Sequence, residues 1–155
     1  MKIVYLSPVG VLGGAERSLL DLMASVQEAD PAARLHLIAA SNGPLIRQAQ
    51  ALGIATTLLA MPTELVRLGD SAWKRGSRFR TWLGLTSRLP QAALAARRYA
   101  QRLARMLAAL EPDLIHSNGL KFHLLGQLAG LKSCPVVWHL RDFLSLHPLM
   151  KRALA

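Results

Sequence analysis

Short apolar runs alternate along the chain with segments whose apolar residues recur every three or four positions. Lys2 to Leu6 is rich in β-formers and predicts a strand buried on both faces. A loop from Ser7 to Gly14 follows. Ala15 to about Glu28 then reads as a helix with Leu19, Leu22, Met23 and Val26 on one face, closed by Pro31. Leu35 to Ala39 predicts a second strand. Ser41-Asn42-Gly43-Pro44 reads as a turn that also caps a short helix over Leu45 to Leu52. Gly53 ends that helix, and Ile54 to Ala60 predicts a third strand. This β-α-β-α-β run is the pattern of a parallel sheet covered by helices.

Residues 62–87 break the alternation and predict a long loop with one helical turn, of a length usually tied to function. Pro90 to Leu110 reads as the clearest helix. Ala92, Ala96, Tyr99, Leu103, Met106 and Leu110 form its apolar stripe, and Arg97, Arg98, Arg102 and Arg105 lie on the opposite arc. Asp113 to His116 predicts a fourth strand. Asn118-Gly119 turns into a helix from about Lys121 to Ala129, and Pro135 to Leu140 predicts a fifth strand. Pro148 opens a further helical pattern that reaches Ala155 without a cap, so the chain is expected to continue into more protein. The fold class expected is α/β: one Rossmann-like three-layer sandwich over residues 1–155, with a mostly parallel sheet and helices on both faces.

Composition supports a packed domain. The chain has 155 residues, 52% of them hydrophobic and 18% charged, which is the wrong balance for disorder. Its single cysteine, Cys134, excludes an intrachain disulfide and a cysteine-rich zinc site. No apolar stretch reaches the roughly 18 residues of a membrane span, and no signal peptide precedes the first strand. A cytoplasmic location is expected, with neither metal nor cofactor.

Charge changes the picture more. The net charge is +10, and Arg67, Lys74, Arg75, Arg78, Arg80, Arg88, Arg97, Arg98, Arg102 and Arg105 fall in one stretch whose sole acid is Asp70. Trp73, Phe79 and Trp82 are interleaved with the basic residues of the loop. That mixture suits an anionic membrane interface or an anionic glycolipid. It also suits single-stranded nucleic acid, but no nucleic-acid motif accompanies it.

Candidate chemistry collects where strands end. Gly13-Gly14-Ala15-Glu16 joins the first strand to a helix N-terminus, where unpaired N–H groups and the helix dipole favour a phosphate and glycine permits close approach. The glycines match neither the dinucleotide fingerprint nor a P-loop, and Glu16 would repel a phosphate placed directly on it. A plain tight turn, with Glu16 complementing the dipole, is the alternative. His116 and Asn118 lie at the carboxyl end of the fourth strand, where open α/β folds bind ligands. A packed histidine and a helix cap by Ser117 or Asn118 are the alternatives there. His139, Arg141 and Asp142 leave the fifth strand and can contact phosphate or hydroxyl groups. An Arg141–Asp142 ion pair is the structural alternative. His123 and His147 have no partners at metal-ligand spacing and His36 lies within the second strand, so none of the three is assigned a function.

With those residues placed, the sequence resembles the N-terminal half of the family 4 glycosyltransferases of GT-B architecture. The resemblance rests on Lys2-Ile3-Val4-Tyr5-Leu6, on Gly13-Gly14-Ala15-Glu16-Arg17, on Pro112-Asp113-Leu114-Ile115-His116-Ser117-Asn118, and on Pro135-Val136-Val137-Trp138-His139-Leu140-Arg141-Asp142. It implies an acceptor-binding domain that faces a separate donor-binding domain, absent from this chain, across a cleft. It further implies metal-independent, retaining transfer from a nucleotide-sugar to a polysaccharide or lipid-linked acceptor. By the resemblance Gly13, Gly14 and Glu16 lie against the donor's phosphates or sugar. Trp73, Arg78 and Trp82 then belong to the acceptor side, with His116 and Asn118 in the cleft and the protein peripheral at the inner membrane face. Many members carry a histidine followed by Asp or Thr after the last strand. Here that place aligns with Arg141-Asp142, while His139 stands two residues earlier on the same side of an extended strand. The catalytic candidates are therefore His139, Arg141 and Asp142, with the choice among them open. Two other readings stay in view: a membrane-docking subunit that pairs with a separate donor-binding protein, and a Rossmann domain of a nucleotide-dependent oxidoreductase or epimerase. Against the latter, Ser41-Asn42 stand where an acidic residue would follow the second strand.

Overall fold

The computed structural model describes residues 1–70, 89–130 and 134–140, with backbone only at 67–70 and 89. The strands are β1 (Lys2–Ser7), β2 (Arg34–Ala39), β3 (Ala55–Leu58), β4 (Leu114–Asn118) and β5 (Val136–His139). They form one sheet in the order β3-β2-β1-β4-β5. All four pairings are parallel. The helices are α1 (Gly14–Ala29), α2 (Pro44–Ala51), α3 (Thr63–Asp70), α4 (Leu89–Leu110) and α5 (Leu120–Leu128).

Strand β1 lies at the centre, and its alternation divides the core in two. Ile3 and Tyr5 point to one face, where Leu19, Leu20 and Met23 of α1 and Leu45 and Ala49 of α2 cover them. Val4 and Leu6 point to the other, against Tyr99, Leu103 and Leu107 of α4 and Phe122 and Leu125 of α5. The doubly wound sandwich expected from the sequence is therefore present. Its reversal of winding direction falls between β1 and β4, where such sheets open a crevice beyond their carboxyl ends.

Helix α4 follows its predicted stripe closely. Ala92, Tyr99 and Leu103 are buried, joined by Ala100 and Leu107, while Arg97, Arg98, Arg102 and Arg105 are exposed. The Tyr99 hydroxyl donates to the Leu59 carbonyl at 2.8 Å, tying α4 to the segment after β3. Burial pushes the Tyr99 phenol far above its ordinary range, with Arg102 opposing weakly, so the hydroxyl stays a donor.

One local expectation needs correction, and two helix starts become specific. The segment expected as a loop from residue 62 begins with helix α3, longer than a single turn, which buries Leu65 against the α4 core. The turn Ser41-Asn42-Gly43-Pro44 caps α2 as expected, with Gly43 at the N-cap, while Ser41 Oγ accepts from Gly10 N at 2.8 Å and Asn42 Oδ1 accepts from Gly43 N. The expected Asn118-Gly119 turn starts α5 with Gly119 at the N-cap, which removes the alternative of a Ser117 or Asn118 cap. Both helices start so close to a neighbouring loop that only a glycine fits at the turn.

Candidate functional site

The β1–α1 and β4–α5 turns and the end of β5 meet over the carboxyl edge of the sheet. They enclose a cleft of about 250 Å³ walled by Pro8, Glu16, Asn118, His123, His139 and Leu140, among others. Register explains the gathering. Asn118 pairs with His139 across β4 and β5, and Ser117 pairs with Trp138. Alternation then turns Asn118 and His139 towards one face of the sheet and Ser117 and Trp138 towards the other.

The α1 side of the cleft is set by Glu16. It stands at the third helical position, is only 8% exposed, and its Oε2 accepts from Gly13 N at 3.0 Å. This is one arm of a capping box, the other arm being impossible for a glycine N-cap. The carboxylate thus already occupies a helix N–H that a phosphate would use. Gly13 and Gly14 lie beside the cleft rather than in its wall. The more constrained glycine is Gly10, against which the 41–43 backbone packs directly.

His116 sits beneath the cleft, 8% exposed, with its ring 5.3 Å from Tyr5 and edge-on to His139 at 5.4 Å. Burial raises the Tyr5 phenol, which keeps that neighbour neutral. His123, to which the sequence assigned no role, lies in the wall. It is 1% exposed and stacks on Trp138 at 5.1 Å and 11°. Its Nδ1 shares a hydrogen bond with Ser117 Oγ at 2.7 Å. Burial pushes the His123 imidazole down, and the His139 main chain and ring act in opposite senses on it, so a neutral ring faces the cleft at neutral pH. The spacing Ser117-Asn118-Gly119-…-His123 carried a usable signal: a one-residue turn into a helix brings the fourth helical position back over the strand end. His36 is held elsewhere, by Thr57 Oγ1 at 2.8 Å.

Of the residues expected from the sequence, Glu16, Asn118 and His139 come together, with His116 directly below. Trp73, Arg78, Trp82, Arg141 and Asp142 lie outside the described residues. Among the described residues no three His, Cys, Asp or Glu side chains could hold a metal ion. No helix among them is long and apolar enough to cross a membrane.

A family model described as a glycosyl transferase 4-like domain matches residues 13–155. The chain belongs to that family. Solved structures share its fold. Anabaena HepE in complex with UDP-glucose superposes with a TM-score of 0.65 at 20% identity, over 99% of this chain and 33% of that one. WaaB, a lipopolysaccharide outer core galactosyltransferase in its apo form, gives 0.54 at 12% identity, over 89% of this chain and 32% of that one. CalG4, the calicheamicin glycosyltransferase, gives 0.53 at 17% identity, over 98% and 36%. A search of curated proteins found no match. This glycosyl transferase 4-like domain therefore spans about a third of the length of the solved structures it resembles, and it shares their Rossmann-like fold.

Proposed function

We propose that the chain is the acceptor-side domain of a retaining glycosyltransferase that moves a sugar from a nucleotide-sugar to a polysaccharide or lipid-linked acceptor. The carrying observation is the cleft at the winding reversal, walled by Glu16, Asn118, His123 and His139, in a chain of the glycosyl transferase 4-like family. In this reading a second domain supplies most of the nucleotide contacts, and the 155 residues alone do not catalyse transfer. Gly13, Gly14 and Glu16 face the donor. His139, Arg141 and Asp142 are the candidates for contacting the transferred sugar. The exposed arginines of α4, together with Trp73, Arg78 and Trp82, face the acceptor and an anionic membrane surface.

HepE is known bound to UDP-glucose, so UDP-sugars come first in the test. The intact protein is incubated with a panel of nucleotide-sugars and membrane extract, and released nucleotide and labelled glycan are measured. Nucleotide release that depends on acceptor supports the proposal. No turnover with any donor, or transfer by residues 1–155 alone, contradicts it. Family membership leaves the oxidoreductase and epimerase alternative without support.

A further inference from the structure

Strand β5 carries His139 to the cleft with little of the core to hold it there. It pairs with β4 alone among the described residues, and none of its four residues is buried. Val136 and Val137 are both exposed. The cleft end of the strand has a different kind of support. Trp138 pairs with Ser117 and so points to the α5 face of the sheet, as Ile115 does. There the His123 ring stacks on it at 5.1 Å and 11°. The same ring makes one hydrogen bond with the His139 main chain and another, through Nδ1, with Ser117 Oγ at 2.7 Å. One imidazole thus touches β4 and two successive residues of β5.

Ser117 and His123 are each 1% exposed. An apolar pair would fill the same space without the cost of desolvation, so what polarity adds is direction. Burial lowers the proton affinity of the ring, and the contact with the His139 main chain opposes that, as donation to a carbonyl does. The ring is therefore the donor to β5. Nδ1, left without a proton, accepts from the Ser117 hydroxyl. Hydrogen bonds at imidazole nitrogens run in the ring plane, and the stack on Trp138 holds that plane, so tilt and rotation are both set. The ring meets the His139 main chain from the α5 face. The His139 side chain leaves towards the other face, edge-on to His116 at 5.4 Å. His123 thus sets where His139 stands without occupying its ring.

We infer that His123 is a positioning residue: it clamps the cleft end of β5 to β4 and so fixes the placement of His139. The clamp itself is independent of any reaction. Its consequence for turnover rests on the transferase reading, in which His139 is a candidate for contacting the transferred sugar.

The tautomer is read first, in the intact parent protein labelled with 15N in histidine. The His123 ring, assigned by its cross-peaks to Trp138, should carry its proton on the nitrogen away from Ser117 at neutral pH. A neutral ring with the proton on Nδ1 overturns the inference. Two variants follow. His123→Phe keeps the stack and removes both hydrogen bonds, and His123→Gln returns a donor that faces the main chain. In His123→Phe the amides of residues 138–140 should exchange about fivefold faster while those of β1 and β2 do not change, and His123→Gln should recover most of the difference. Where His123→Phe does not fold, Ser117→Ala, which frees Nδ1, takes its place with the same expectation. Unchanged exchange at 138–140 overturns the clamp. So does exchange that quickens alike through the whole sheet, the mark of a core residue. In turnover, His123→Phe should lower kcat about tenfold and leave the donor KM within about twofold. In a His139→Ala background it should cost nothing further. An unchanged kcat, or an additive loss in that background, overturns the positioning role. A parent protein that turns over no nucleotide-sugar, yet gives the tautomer and exchange results, loses the transferase reading and keeps the clamp. Turnover without those results does the reverse.

Discussion

Replacing glycine by alanine at Gly10 and at Gly14 should move stability in opposite directions. Gly10 carries its loop against the β2–α2 turn. Its N–H donates to Ser41 Oγ at 2.8 Å, and its carbonyl accepts from Leu45 N at 2.9 Å. A Cβ on Gly10 would stand 2.3 Å from the Ser41 carbonyl oxygen and 2.6 Å from the Asn42 carbonyl carbon. Both obstacles are backbone, so relief requires one loop to move off the other until that 2.3 Å becomes at least 3.0 Å. Such a shift strains both hydrogen bonds as well as the packing. Overpacking costs about 1–3 kcal/mol and a weakened hydrogen bond about 1 kcal/mol, which puts Gly10→Ala near 3 kcal/mol. In a domain of this size that lowers Tm by about 6–12 °C. Gly14 opens α1, and a Cβ there meets nothing within 4 Å. Gly14→Ala should therefore stabilise by about 0.5 kcal/mol, through a less flexible unfolded chain. Thermal and urea unfolding followed by far-UV circular dichroism measure both variants. A Gly10→Ala protein as stable as the parent, or a Gly14→Ala protein clearly less stable, would refute this account of the loop.

Two further outcomes follow from single contacts. Tyr99→Phe removes the donor to the buried Leu59 carbonyl and should cost about 1–3 kcal/mol in urea unfolding; an unchanged midpoint would show that the bond contributes nothing net. Burial holds the His36 and His123 imidazoles below their ordinary value of 6.5. The unfolded chain then takes up protons there first as pH falls, so the stability these residues give is full above about pH 6.5 and is lost as pH drops through their lower folded values. Urea midpoints measured from about pH 7.5 down to about pH 5 should fall, and His36→Gln with His123→Gln should flatten the fall. An equally steep fall in the double variant would assign the pH dependence to other groups.

The fold was legible because its signals are local and repeated. Buried runs such as Val4-Tyr5-Leu6 and the 3/4 stripe on α4 each fix an element, and elements alternating in this order allow few topologies. Helix starts were legible as turns, Ser41-Asn42-Gly43-Pro44 and Asn118-Gly119, but not which residue takes the cap, because Ser41 and Asn118 have the side chains of good caps and the position falls to Gly43 and Gly119. That choice is made by loops distant in sequence, Gly10 against Gly43 and Pro8 against Gly119. That Glu16, Asn118 and His139 reach one cleft was legible because it depends on strand ends. The place of His123 in the same wall was carried only by its spacing from Ser117. A lone histidine on a helix reads as core, and its place in the wall becomes plain only once Ser117 and Trp138 have fixed the ring.

Gly119 shows how closely the cleft's chemistry depends on its backbone. Its φ of +106° lies where residues with a side chain are strained, and a Cβ there would meet Pro8 Cγ at 2.9 Å. The turn it makes is one residue long. A longer turn would carry His123 away from Ser117, and a bulkier one would push the β1–α1 loop, with Glu16, off the end of β4. One glycine thus keeps three separate parts in register: the carboxylate capping α1, the amide ending β4, and the imidazole on the first turns of α5. The glycines first suspected of serving the ligand, Gly13 and Gly14, are less constrained than this one. In this domain the close approach that glycine permits is chiefly between segments of the chain itself, and the ligand is left to the side chains which those approaches bring together.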